Sequence, residues 1–219
     1  PGCGAVAANE RLTPFLPGPI VEIVEEPTPE EDAPLYGLRM PKHSIGQLKA
    51  FWGNFGMHVR AYAYIRAYGN ALRQVSRHAV LNANYVRARL KDAYKIPYNR
   101  ICAHEFVLEG HFDGIDDVHA LDISKRLMDF GIHPPTNYFP LIVPEALLIE
   151  PTETEDKATL DRFIEAMRAI SAEARQNPEL LTSAPHTMPV ARLDEVRAAK
   201  RLVLCCRVIP EWAEPEAGD

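Results

Sequence analysis

The stretch CAHEFVLEGHFDGIDDVHALDISKRLMDFG, residues 102–131, decides the fold class. Its first part, residues 102–108, is apolar enough for a β-strand. Ala120, Ile123, Leu127 and Phe130 then recur at helical spacing, and Gly131 suits the left-handed residue that closes a helix. A βα unit results. Beyond it, residues 138–143 and 146–149 are expected as two short strands, and Leu160, Phe163, Ile164, Met167 and Ile170 mark one face of a long helix. Thr154 is the expected start of that helix, because its hydroxyl can accept an orphan amide; Thr152 with Glu155 fits a capping box equally well. This order of elements makes the unit α+β or α/β.

Upstream, Leu72, Val75, Ala79, Ala83, Val86 and Leu90 fall at spacings of three and four, the stripe of a long helix. Residues 55–68 are also helix-like, with Gly69-Asn70 as punctuation and Pro97 ending the helical region. Residues 19–24 alternate enough for a short strand, whereas 25–41, rich in proline and acid, is expected to be loop. A short helix is expected at about 193–200, before an acidic tail.

At 219 residues, with 47% hydrophobic and 25% charged, the chain is long enough to bury a core without disulfide or metal staples. No apolar run approaches the roughly 20 residues of a membrane span. The four cysteines, Cys3, Cys102, Cys205 and Cys206, lack zinc spacing and read as reduced thiols, which points to the cytoplasm. Residues 44–101 hold ten Lys and Arg against the single acid Asp92, inside a chain whose net charge is −6. No nucleic-acid motif accompanies that basic stretch; its side chains either pair with the acidic remainder or face a site mouth.

The chemistry-bearing residues cluster late. His104, Glu105, His111, Asp113, Asp116, Asp117 and His119 include metal-ligand types but no His-Glu-x-x-His, so no metal is assigned and 111–119 reads as a solvated loop. His104 and Glu105 lie within the expected strand, where alternation turns one inward; a satisfied core pair and a cleft pair both remain open. Glu150 and Glu153 sit around Pro151 and Thr152 at a strand-to-helix junction, and capping does not account for them. There is no P-loop, no nucleophile elbow and no dinucleotide fingerprint.

Seven segments carry a resemblance: SIGQLKAFWGNFG (44–56), AVLNANY (79–85), AHEFV (103–107), HPPT (133–136), YFPLIV (138–143), IEPTETE (149–155) and APHT (184–187). Together they resemble glycine decarboxylase, the P-protein of the glycine cleavage system, in its two-subunit form, and match subunit 2. The likeness runs from residue 1 to about 204. It implies an α/β chain with a small α+β domain, the C-terminal part of a fold type I, aspartate aminotransferase-like pyridoxal phosphate enzyme: residues 1–96 as the end of the large domain and a long connecting helix, 97–204 as the small domain, 205–219 as a tail. The family's cofactor lysine lies in a His-Lys-Thr-Phe segment before a glycine-rich run that Pro1-Gly2 would end, so the Schiff-base lysine is expected upstream of this chain.

The implied activity is glycine decarboxylation with transfer of the aminomethyl group to lipoylated H-protein. The implied partners are P-protein subunit 1, H-protein and glycine, in an oligomer, with neither nucleic acid nor membrane. The resemblance makes Gly53 and Asn54 part of the cofactor or intersubunit site, with cofactor binding the role assigned, His104, Glu105 and His133 catalytic candidates, and Thr136, Glu150, Thr152 and Glu153 substrate-binding candidates. Without its lysine the chain alone is expected to be inactive; the alternative is a non-catalytic or regulatory subunit of such an assembly.

Overall fold

A computed structural model describes residues 2, 4–28, 33–47 and 52–202. The chain divides into two compact units, 1–72 and 73–219. In the first, strand β1 (Ile20–Glu25) pairs antiparallel with β2 (Leu35–Arg39), joined across the strands by an Arg39–Glu22 ion pair. Helix α1 (Phe55–Tyr68) follows a turn in which Trp52 and Gly53 have φ of 63° and 101°. Strand β2 corrects the expectation of loop throughout 25–41: Leu35, Tyr36 and Leu38 pair with β1, and long-range pairing decides what local polarity obscures.

The second unit opens with α2 (Leu72–Leu90), as its stripe predicts. The stripe is buried in a graded way. Ala83, Val86 and Leu90 are fully buried, while Leu72 is 37% exposed. Strands β3 (Phe106–Glu109), β4 (Thr136–Asn137) and β5 (Ala146–Ile149) form one antiparallel sheet in the order β3-β5-β4. Phe106 pairs with Ile149 and Leu108 with Leu147, and these four side chains face a core shared with α2, α3 (Ala120–Asp129) and α4 (Lys157–Gln176). Val107, Ala146 and Leu148, which alternate with them, join Val143 in a separate small cluster, as strand alternation requires. Gly131 closes α3 at φ 71°, with the Ile132 amide donating to Leu127 and the Gly131 amide to Met128. Two short helices, α5 (Glu179–Thr182) and α6 (Glu195–Lys200), complete the described residues, the second where it is expected.

Three boundaries differ from expectation, each for a visible reason. Strand β3 begins at Phe106 rather than at 102, because the side chain of Asn84 takes both backbone groups of Cys102: its Nδ2 donates to the Cys102 carbonyl at 2.8 Å and its Oδ1 accepts the Cys102 amide at 3.1 Å. Residues 138–143 form no strand. Tyr138 adopts φ 59°, and Pro140 and Pro144 lack the amides a ladder needs. Helix α4 is capped by Asp156, whose Oδ1 accepts the Thr159 amide at 2.7 Å, and not by Thr154 or a Thr152–Glu155 box. Thr154 is engaged elsewhere, its hydroxyl 2.6 Å from that of Thr152. Cys3, Lys49, Cys205, Cys206, Pro1 and the expected tail lie outside the described residues.

Candidate functional site

A cavity of about 730 Å³ opens in the second unit between α4 and the chain segments that lead out of α3 and β5. Ile132 to Pro135 form one wall, Ile149 to Thr152 another, and α4 contributes Thr159, Leu160, Arg162, Phe163 and Ala166. Of the expected site residues, His133, Glu150 and Thr152 line it. His104 stands beside them, its Nε2 3.8 Å from Glu150 Oε1, with both side chains about half exposed. The core-pair reading of His104 is thereby overturned: with residues 102–105 outside the strand, alternation no longer turns it inward. Glu105 and Glu153 are half-buried but do not line the cavity. Thr136 is exposed, in register with Leu148 on the sheet. Gly53 and Asn54 belong to the first unit, where Asn54 caps α1 by accepting the Met57 amide at 3.4 Å.

The walls are held by residues that no catalytic motif flags. Asn82, on α2, donates from Nδ2 to the carbonyls of Thr152 at 2.9 Å and Glu155 at 3.1 Å. Two residues further on, Asn84 holds Cys102 and so sets the approach to His104. One turn of one helix therefore fixes the segments carrying both partners of the His104–Glu150 pair. Tyr85 adds a hydrogen bond to Asp161, whose carboxyl is held below its ordinary range by Lys157 first and this phenol second. The α4 lining residues were legible in principle: Thr159, Arg162, Phe163 and Ala166 recur at three and four beside the core stripe.

The lining side chains include three carboxylates, Glu150, Glu155 and Glu165, against one guanidinium, Arg162. None of the described basic residues of 44–101 is among them. Arg87 donates to Asn99 at 2.6 Å and Lys95 pairs with Glu109 at 2.9 Å, so part of the basic stretch is spent within the fold. Pyridoxal phosphate does not fit this cavity: a dianionic phosphate would meet an excess of carboxylates, and among the described residues no lysine lines it.

The remaining resemblance motif, residues 184–187, lies elsewhere in the unit. Asp129 at the end of α3 accepts the amides of His186 at 2.6 Å and Thr187 at 2.8 Å, and Arg126 pairs with it at 3.0 Å. Burial opposes ionisation of Asp129, yet the Thr187 and His186 amides and Arg126 outweigh it and hold its pKa at about 2. Among the described residues no helix is long and apolar enough to cross a membrane.

Residues 75–186 match the family model described as glycine dehydrogenase, C-terminal domain. The chain is 51% identical over 205 residues to a probable glycine dehydrogenase (decarboxylating) subunit 2 of Alkaliphilus oremlandii, covering 93% of this chain and 40% of that protein. The corresponding protein of Lysinibacillus sphaericus is 53% identical over 205 residues, covering 93% and 41%. The chain thus spans about two-fifths of the length of these relatives. A crystal structure of glycine decarboxylase (P-protein) of the glycine cleavage system, in inhibitor-bound form, superposes with a TM-score of 0.54 at 18% identity, covering 73% of this chain and 37% of that one. That likeness supports the α/β fold class, with its small α+β domain, expected from the sequence. With half the chain matched by the family model, from α2 through the sheet to the segment that Asp129 binds, the protein belongs to the glycine dehydrogenase C-terminal domain family.

Proposed function

We propose that this chain is the C-terminal part of a glycine dehydrogenase (decarboxylating) subunit 2, which acts on glycine and passes an aminomethyl group to lipoylated H-protein. The observation that carries the reading is the match of 205 residues at about half identity to proteins bearing that name. In this reading residues 1–96 end the large domain and connect through α2 to a small domain at 97–204, with a tail beyond. Pyridoxal phosphate is held chiefly by polypeptide outside this chain, with Gly53 and Asn54 at its edge. His104, Glu105 and His133 are the catalytic candidates, and Thr136, Glu150, Thr152 and Glu153 contact substrate. Glu150 beside His104 suits an amino group rather than a carboxylate, since a like charge there is repelled. The working assembly is a cytoplasmic oligomer that includes P-protein subunit 1.

The test is reconstitution. The chain alone is expected to release no carbon dioxide from glycine, and co-expression with the remainder of a relative's subunit 2, subunit 1 and lipoylated H-protein to restore release. A stoichiometric, borohydride-trapped adduct of pyridoxal phosphate at one lysine of this chain, with carbon dioxide release by the chain alone, overturns the reading.

A further inference from the structure

Residues 138–144 read Tyr-Phe-Pro-Leu-Ile-Val-Pro, seven positions without a charged side chain. Between β4 and β5 they form a loop that displays three of its large apolar side chains: Leu141 is 88% exposed, Ile142 76% and Phe139 56%. Single exposed hydrophobic residues are ordinary on a protein surface, whereas adjacent ones on one loop mark an interaction site.

The loop is firmly built. The Tyr138 amide donates to the Ala146 carbonyl at 2.7 Å, the Val143 amide to Pro140 at 3.1 Å, and the Val143 side chain is buried with Val107 and Ala146. Tyr138 and Glu145 bracket it at φ 59° and 48°, conformations that non-glycine residues keep only where the surroundings enforce them. The enforcement is visible at Glu145. Its carbonyl accepts the Gly110 amide at 2.6 Å and its Oε2 accepts the Ala120 amide at 2.7 Å. A Cβ at Gly110 would lie 2.9 Å from the Ala120 Cα, so that approach needs glycine. The fold thus spends anchoring interactions on holding an apolar tip in solvent.

The loop is also rooted in the sheet. Helices α2, α3 and α4 pack on the sheet face that carries Phe106, Leu108, Leu147 and Ile149. On the opposite face Val107 and Ala146 are buried with Val143, the loop residue that turns inward, and Leu148 packs against them.

We propose that Phe139, Leu141 and Ile142, held out by this loop, form a preformed docking surface for the part of glycine dehydrogenase subunit 2 that lies outside this chain's match. The occupant follows from lengths: the matched region is 40–41% of the relatives, so about three-fifths of their polypeptide needs packing partners. A second copy of this chain is a poorer occupant, because each copy brings a net charge of −6. The proposal rests on reading the chain as the C-terminal part of a longer subunit.

The experiment co-expresses the full chain with the remaining polypeptide of the Lysinibacillus sphaericus relative and measures their affinity and stoichiometry by sedimentation. A one-to-one complex is expected. Leu141→Ser with Ile142→Ser should weaken it at least tenfold with an unchanged melting temperature, and Leu193→Ser, at another exposed apolar position, should not. Should the double variant melt early, Leu141→Lys alone carries the same expectation. The proposal is overturned by no complex with the unaltered chain, by equal affinity in the loop variants, or by a self-dimer that the loop variants dissociate. Carbon dioxide release from glycine is read separately, so a complex that forms but does not turn over counts against the functional reading and not against the docking surface.

Discussion

Asp129 shows how one side chain ties distant sequence together. It accepts two amides from the segment 184–187, a hydroxyl from Thr187 at 3.0 Å and a guanidinium from Arg126, while Arg126 also grips Glu173 on α4. Its pKa lies near 2 against an ordinary 3.8, so the folded state prefers the ionised form. The contribution is therefore complete above about pH 4 and lost as pH falls through 4 toward 2, on the order of 2 kcal/mol in total. Chemical denaturation of Asp129→Asn should show a loss of about 2–4 kcal/mol at pH 7 that shrinks below pH 4. His104 makes the contrasting case. Its exposure predicts that His104→Asn leaves the melting temperature within about a degree or two, while turnover in the reconstituted enzyme falls; a large stability loss with turnover intact would return it to a structural role.

At the scale of elements, α2 does two jobs along one length. Its C-terminal half is core and its N-terminal half is half-exposed, so Leu90→Ala should cost about 3 kcal/mol and Leu72→Ala less than about 1, measured by urea unfolding. The same helix holds the cavity walls through Asn82 and Asn84. Helix α4 depends on its cap: Asp156→Ala should remove about 1 kcal/mol, whereas Thr154→Ala should change little, because the carboxylate and not the hydroxyl receives the Thr159 amide. The helix positions were legible because 3.6-residue periodicity is a local property. Cap choice was not, since Thr152, Thr154 and Asp156 all qualify by residue type and packing selects among them.

Across the whole molecule the two units differ in kind. The second has a continuous core, while among the described residues of the first only Gly18 and Pro41 are buried. Helix α1 buries none of its residues, and Phe55, Val59, Tyr62 and Ile65 are exposed. Native-state hydrogen exchange on the chain alone should find the amides of residues 55–68 exchanging orders of magnitude faster than those of residues 160–174; equal protection would mean that the first unit is stable without further partners. Sequence determined the helices, the βα order, the segment around Glu150 and the family, because periodicity, residue type and motif are written along the chain. Tertiary structure decided the rest: that β3 starts late because Asn84 occupies the Cys102 backbone, that residues 138–143 leave the sheet for solvent, and that His104 meets Glu150. Each of those outcomes depends on a contact between residues far apart in sequence, where local propensity carries no information.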